Sequence, residues 1–499
     1  MPEYSLFIHS DSMSETIMAG CENSLLEIAR SHGFNIDAPC GGKGKCRGCR
    51  VTVNGPVKDP SGNVHDAVNE ELIACCHYPA GDLDIHIKES RGNKIQLDAV
   101  AITPEPSADG ETSYGLAIDI GTTTIAVYLY DLSSGKCRAS LGEMNSQRPY
   151  GADVISRIVY SSEENGLETL TGNVRDQLMR MAKAVCPDIS RIKKISIAGN
   201  TVMEHLFAGL SPKTIGVAPF TPLSYFGNEI PASDIFEGFA PDTKIYLCPA
   251  VSGYIGGDIT AGILSSGLFA SEETMLFIDI GTNGEMCIGN KDKLYCCSTA
   301  AGPAFEGAGI ECGAPAAEGS ISSVSDDLSY EVIGGTEPTS ICGSAVIDAI
   351  SALLKNEFID ETGAMDEDRY YFTDNVWISD KDVRKIQLAK SAIRAGIETL
   401  LQISGKTYDD VSKVLIAGGF GAYLKPSSAC GIGLLPPAFI DKTFHIGNSA
   451  GRGAALALNE PAREQLSAIK EKCIYEELSG SAIFNTHYLN YMGFYEDDD

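Results

Sequence analysis

The stretch GLAIDIGTTTIAVYLYD (residues 115–131) has a near copy, LFIDIGTNGEMCIGN (residues 276–290), and Asp119 of the first lies 160 residues before Asp279 of the second. Each copy reads as an apolar strand ending in Asp, a Gly-Thr turn and a second strand, so the region is a duplication of one supersecondary unit. The chain carries neither a Walker A loop nor GxGxxG, which argues against P-loop and Rossmann sites. Asp-x-Gly-Thr at a hairpin tip suits another kind of phosphate site. The Gly lets backbone N–H groups approach phosphate oxygens, and the Thr hydroxyls add donors. The carboxylate reaches Mg²⁺ mostly through water, because Mg²⁺ dehydrates reluctantly. A third element, KVLIAGGFGAYL (residues 413–424), reads as a strand that stops at Gly418 and Gly419, where bare backbone leaves room for an adenine.

This trio resembles the superfamily of acetate and sugar kinases, heat-shock chaperones and actin, in which two RNase-H-like halves close on ATP. The resemblance implies a first phosphate motif of Asp119, Gly121, Thr122 and Thr123. It implies a second of Asp279, Gly281, Thr282 and Asn283, and an adenosine motif of Gly418, Gly419 and Phe420. Asp119 and Asp279 are the candidates for Mg²⁺ and water positioning in ATP hydrolysis. Glu285, at a similar offset within DIGTNGE, is a candidate for holding the nucleophilic water or else a surface strand acid; Glu306, in the Gly-rich AGPAFEGAG loop, is a candidate for lining the cleft near the γ-phosphate. The helices expected between the halves include residues 200–209 and 340–354. Asn200, Thr201 and His205 fall on one face of a helix start, where His205 reads as a satisfied helix histidine more readily than as a base.

Outward toward the N-terminus, APCGGKGKCRGCRVTVNG (residues 38–55) places Cys40, Cys46 and Cys49 in a Cys-x5-Cys-x2-Cys run, and ELIACCHYP (residues 71–79) adds Cys75 and Cys76. Zinc sites favour paired CxxC or HxxxH knuckles, and only one CxxC is present. A glycine-rich loop is what a [2Fe–2S] cluster needs, since backbone N–H groups must wrap its sulfides. The spacing resembles one-cluster ferredoxins of β-grasp fold, which implies Cys75 as the fourth ligand after its apolar Ile-Ala pair, with Cys76 as the alternative. The flanks agree: YSLFIHS and ETIMAG read as a hairpin, NSLLEIARSHG as a short helix and DLDIHI as a strand.

A ferredoxin fused to an ATP-clamping unit is similar to the reductive activators of corrinoid-dependent enzymes. The segments at 150–158 (YGADVISRI), 197–206 (IAGNTVMEHL) and 299–313 (TAAGPAFEGAGIECG) also resemble that family. The resemblance implies ATP-dependent reduction of cob(II)amide to cob(I)amide on a corrinoid protein of a methyltransferase system. It further implies a low-potential donor (ferredoxin or flavodoxin) and a homodimer. A competing reading is a small-molecule kinase of the same superfamily whose ferredoxin domain senses redox state. The single C-terminal Cys473 argues against a second iron–sulfur centre there.

The fold class expected is multidomain α/β, a β-grasp ferredoxin (α+β) followed by a duplicated RNase-H-like ATPase fold of the actin and sugar-kinase type. Its 499 residues divide into a ferredoxin domain (1–92), a loose linker (93–113), a first ATPase subdomain (114–275) and a second with the C-terminal tail (276–499). The net charge of −29 opposes nucleic acid and anionic membranes as partners. No stretch approaches the ~20 apolar residues of a membrane span, and the first residues lack the features of a signal peptide. A cytoplasmic location is therefore expected, with the cysteines as thiols or metal ligands.

Overall fold

The computed structural model describes residues 3–10, 13–32, 34, 36, 49–87, 97, 99–105, 113–419 and 421–494. The expected ligands Cys40 and Cys46 and the adenosine-motif residue Phe420 lie outside these.

The N-terminal unit is the expected β-grasp. Strands Glu3–His9 and Ser14–Gly20 form the hairpin, and Glu3–His9 also runs parallel to Leu83–His86. Leu83–His86 in turn pairs with Arg50–Lys58, which forms a long hairpin with Val64–Ile73. Helix Leu25–Ser31 covers one face, and Leu6, Ile8, Leu25, Leu26, Val53 and Ile85 fill the core. Ser24 and Glu27 start the helix with a capping exchange: the Ser24 amide and hydroxyl both donate to the Glu27 carboxylate.

The remainder contains one topology twice. In the first half β1 (Tyr114–Ile120), β2 (Thr124–Asp131) and β3 (Lys136–Met144) form an antiparallel meander. After helix α1 (Val154–Ser161), β4 (Ile192–Gly199) pairs parallel to β1. Helix α2 (Thr201–Ala208) follows, and β5 (Lys244–Leu247) lies parallel to β4. Helix α3 (Gly257–Ser266) closes the half. The second half repeats this with the meander β6 (Thr274–Ile280), β7 (Gly284–Gly289) and β8 (Leu294–Thr299). Helix α4 (Gly343–Lys355), the parallel strands β9 (Val411–Ala417) and β10 (Thr443–Gly447) and helix α5 (Ser449–Leu456) complete it. Five strands of each sheet thus run in the order 3-2-1-4-5, with a sixth, short edge strand added beside β5 in the first half (Glu229–Pro231) and beside β8 in the second (Cys473–Tyr475). β1 and β6 are central and covered on both faces, which is why they read as continuous apolar runs rather than alternating ones.

Two of the apolar cores sit within the halves and a third lies between them. That third core is where α3 and α5 cross, each face of the pair packing on one sheet through residues such as Tyr128 and Phe277. The expectation that residues 200–209 and 340–354 would be the connecting helices is corrected here. Helix α2 packs on its own sheet and α4 on the second half's own core, whereas α3 and α5 carry Gly, Ala and Ser where they meet and touch backbone to backbone. A Cβ at Gly453 would stand 2.2 Å from the Ala261 carbonyl oxygen, and the Ser265 hydroxyl donates to the Ser449 carbonyl at 2.8 Å. Larger side chains, the usual sign of a buried helix in sequence, would keep the helices apart.

The loose linker is also shorter than expected. Ile102 is buried in the third core, its N–H donates to the Gly135 carbonyl, and the Asn459 side-chain amide donates to the Thr103 carbonyl. Residues 99–105 are thus docked on the ATPase unit. Among the described residues no helix is long and apolar enough to cross a membrane.

The crossing gives a pair of predictions of opposite sign. Gly453→Ala sets a Cβ against immovable backbone, so it lowers stability by about 1–3 kcal/mol although Ala favours helices. Gly172→Ala, in helix Gly166–Val185 with nothing within 4 Å of the new methyl, raises it by roughly 0.5–1 kcal/mol. Urea unfolding of both variants checks this; a neutral Gly453→Ala would mean that the helices do not meet through backbone.

Candidate functional site

The two Asp-Gly-Thr hairpins point into one cleft between the halves. The turns differ by one residue: Ile120 pairs with Ile125 across the first, and Ile280 with Gly284 across the second. The shorter second turn puts Glu285 directly opposite Asp279, where the first half has Ala126 opposite Asp119. Glu285 is therefore not a surface strand acid. It is partly buried, accepts from the Ser298 hydroxyl at 3.3 Å, and is hydrogen-bonded by the Asn283 side chain.

Glu306 closes the cleft from a one-turn helix, Pro303–Glu306. Gly302 and Gly307, at φ 76° and 78°, reverse the chain on either side of it. Its carboxylate accepts from the Thr282 hydroxyl at 3.0 Å and from the Thr123 hydroxyl at 3.4 Å. One side chain thus bridges the two predicted phosphate turns. Gly418, at φ 89°, ends β9 beside Asp279, where a Cβ would stand 2.7 Å from the Asp279 carboxylate. Gly419 has open space around it. The described parts of the three predicted motifs therefore converge.

Further residues complete the cleft. Asp258 stands in the first turn of α3 and Asn448 caps the N-terminus of α5, matching places in the two copies. The Asn448 side-chain amide donates to Asp119 at 2.9 Å. The similar Ile-Gly-Gly-Asp (residues 255–258) and Ile-Gly-Asn (residues 446–448) at the start of α3 and α5 are the sequence signal for this pair, a weaker echo of the Asp-Gly-Thr repeat. Asn200 caps α2 and its side-chain amide reaches the Thr122 hydroxyl at 2.9 Å. His205, by contrast, is structural. The Leu223 and Ser224 amides donate to its Nε2, so Nδ1 carries the proton and donates to the Thr201 carbonyl at 2.6 Å.

Electrostatically the cleft is crowded with carboxylates. Burial raises Asp119 to about 7, partly opposed by the Asn448 bond, with Asp279 pushing further up. Asp258 rises to about 8 through burial, then the charges of Asp279 and Asp119. Burial and Glu306 raise Asp279 to about 6, and Glu285 and Glu306 are also displaced upward, chiefly by burial. Such a cluster calls for a cation or for protons. Among the described residues no three His, Cys, Asp or Glu side chains are arranged to hold a metal ion directly. A cation here would sit on a water shell.

In the ferredoxin unit, Cys49 is buried at the start of the strand Arg50–Lys58, and Cys75 lies in the turn Ala74–Cys76. The Cys75 amide donates to the Cys49 sulfur at 3.4 Å, and the Cys75 and Cys76 sulfurs are 3.7 Å apart. An N–H aimed at a sulfur is what a thiolate ligand of an iron–sulfur cluster requires, so the described part of the cysteine set fits the group.

The raised carboxylates carry a pH prediction. The folded protein holds these protons more tightly than the unfolded chain, so their contribution is full below about pH 4, the ordinary Asp value. It is lost as pH rises through the values near 6, 7 and 8 for Asp279, Asp119 and Asp258. The nucleotide-free protein therefore melts at lower temperature at pH 8.5 than at pH 6, and Asp258→Asn flattens that slope. Thermal scans across this range test it; a wild-type slope in Asp258→Asn counts against the cluster.

Comparison with known proteins agrees with this layout. Residues 8–80 match the 2Fe-2S iron-sulfur cluster binding domain, residues 114–271 the RACo middle region, and residues 273–499 the C-terminal domain of RACo, the ASKHA domain. The chain is 31% identical to the corrinoid activation enzyme RamQ of Eubacterium limosum, over 89% of this chain and 92% of that protein. It is 28% identical to the [Co(II) methylated amine-specific corrinoid protein] reductase of Methanosarcina barkeri, over 75% of this chain and 76% of that protein. A solved structure, a reductive activator for corrinoid, iron-sulfur protein, superimposes with a TM-score of 0.69 at 30% identity, covering 98% of both chains. With a cluster domain ahead of two ATPase-type halves throughout, the chain belongs to the RACo family of corrinoid reductive activators.

Proposed function

We propose that this protein is an ATP-dependent reductase of a corrinoid protein, delivering one electron that converts inactive cob(II)amide to cob(I)amide in a methyltransferase system. The observation that carries the reading is the meeting of Asp119, Asp279, Glu306 and Gly418 in one cleft, in a chain that also brings Cys49 and Cys75 together.

Cys40, Cys46, Cys49 and Cys75 are the ligands of the [2Fe–2S] cluster in this reading, with Cys75 favoured over Cys76 because its amide already faces the Cys49 sulfur. When bound, the cluster supplies a one-electron carrier, near −400 mV for plant-type centres. A one-electron step costs a factor of ten in equilibrium constant for each ~59 mV uphill. Nucleotide binding offsets such a gap only by favouring one conformation of the complex over another.

The chain's own groups suit that task. Gly121, Thr122 and Thr123 on one side and Gly281, Thr282 and Asn283 on the other form the phosphate turns and present backbone N–H groups and hydroxyls, apart from the Gly281 N–H, which closes its own turn on the Asn283 carbonyl. Gly418, Gly419 and Phe420 receive the adenosine. Asp119 and Asp279, with Asp258, hold the water shell of Mg²⁺, whose charge would return their protons to solvent. In this reading Glu285 and Glu306 orient and deprotonate the attacking water. The electron donor is a low-potential ferredoxin or flavodoxin, and the working form is a cytoplasmic homodimer.

The test is anaerobic. Reduced holoprotein is mixed with a cob(II)amide corrinoid protein, and cob(I) absorption is followed with and without Mg-ATP. Cob(I) appears with Mg-ATP, is abolished by Cys49→Ser, and forms about 100-fold more slowly in Asp119→Ala. Persistent cob(II), with ATP turnover that instead follows an added small molecule, would favour the kinase reading.

A further inference from the structure

The segment YGADVISRI, at residues 150–158, resembles the family's sequence but has no place among the phosphate or cluster motifs. Its Arg157, on α1, is wholly buried. Arginine is seldom buried without a paired carboxylate, because desolvating the charge is costly. Among the described residues the acceptors of its guanidinium are all uncharged, and the charges acting on it are those of Arg148 and Asp153, neither of which accepts a hydrogen bond from the guanidinium. Nε donates to the Gly151 carbonyl at 2.9 Å, Nη1 to the Gln147 side-chain oxygen at 3.2 Å and to the Met203 sulfur, and Nη2 to the Thr122 carbonyl at 2.5 Å.

The last of these bonds lies in the first phosphate turn. The two neighbouring carbonyls of that turn are held from the same stretch of chain. The Asn145 side-chain amide donates to the Gly121 carbonyl at 2.8 Å, and the Asn145 backbone N–H to the Thr123 carbonyl at 2.9 Å. In a trans peptide the C=O and the following N–H point in opposite directions. Fixing the carbonyls of Gly121, Thr122 and Thr123 toward Asn145 and Arg157 therefore sets the N–H groups of the next residues the other way. The second turn is built differently: it closes on itself through Gly281 N–H to the Asn283 carbonyl at 2.9 Å.

We propose that Arg157, together with Asn145, is a positioning residue for the nucleotide: it locks the first turn with its N–H groups preset toward the phosphates, its buried charge being matched by the triphosphate. The inference rests on the nucleotide reading given above. A guanidinium suits this role because its rigid fork reaches carbonyls of Gly151 and Thr122 at once, which the single ammonium of Lys cannot do with the same geometry.

The test compares MgATP with adenosine on the full-length holoprotein. MgATP affinity is measured by calorimetry, and adenosine binding by its competition against MgATP. Arg157→Gln weakens MgATP about tenfold or more, Arg157→Lys weakens it less, and adenosine, which lacks the phosphates, keeps its inhibition constant within about twofold in both. Arg157→Lys carries the test alone where Arg157→Gln does not fold, judged by its melting temperature and cluster absorption. Unchanged MgATP affinity, or equal loss for MgATP and adenosine, overturns the positioning role while leaving the nucleotide site standing. A wild-type protein that binds no MgATP overturns the site itself, and the positioning role with it.

Discussion

The arrangement of the cleft depends on how closely α3 and α5 cross. Backbone meets backbone at Gly453 and Ala261, and the side chains at the contact are small, the Ser265 hydroxyl being tied to the Ser449 carbonyl, so no large side chain sets the separation. Asp258 enters the cleft from the first turn of one of these helices, and Asn448 from the cap of the other. The crossing therefore fixes where the Asn448 amide meets Asp119, and how far apart the two Asp-Gly-Thr turns stand. A core that tight is stiff, since well-packed interiors do not deform continuously. Relative motion of the halves is thus expected as a pivot about the crossing more than as a slide across it.

The charge distribution reverses the usual rule that buried acids are paired. Asp279 raises Asp119, Asp258 and Glu285, and is itself raised by Glu306. Each of these side chains sits where the fold puts it, at a strand end, a helix start or a turn, so mutual repulsion cannot be relieved by moving one of them far. Without a counter-charge the site retains protons near neutral pH. With one it becomes a set of carboxylates that orient water. The stability given up at high pH and the capacity to bind a hydrated cation are two faces of one arrangement.

How much of this was legible in the sequence follows from whether the signal was local. The Asp-Gly-Thr hairpins, the glycine-ended strand and the ferredoxin hairpin and helix were readable, because strand periodicity and turn chemistry lie within a dozen residues of one another. Glu306 could be suspected from its glycine-rich loop, but its bridge between Thr123 and Thr282 is a tertiary fact. Asp258, Asn145 and Arg157 were not singled out. Asp258 is one acid in the first turn of a helix, and Asn145 and Arg157 are single polar residues whose partners in the first phosphate turn, Gly121 and Thr122, lie 24 and 35 residues away in sequence. The connecting helices are hard to read because the face on which they meet, Ala261 and Ser265 of α3 against Ser449 and Gly453 of α5, is made of small residues, although α3 carries an apolar stripe of Ile259, Ile263 and Leu264. The same blindness hid residues 99–105, where the docking of Ile102 depends on a pocket formed by distant strands.

The bridge made by Glu306 bears on how a nucleotide reaches the rest of the molecule. The Thr123 and Thr282 hydroxyls each have a single proton to donate, and both are given to one carboxylate. A phosphate that takes either hydroxyl must displace Glu306 from it, since two anions cannot share that donor at close range. The carboxylate is carried on Pro303–Glu306, which packs so closely on the start of α4 that a Cβ at Gly343 would stand 1.7 Å from the Phe305 carbonyl oxygen. A shift of that turn's backbone would therefore meet α4, which lies deep in the second half's core. Glu306 thus joins three elements, the two phosphate turns through its carboxylate and the start of α4 through the backbone beside it, and a nucleotide changes the packing around α4 only if the turn's backbone moves with the side chain.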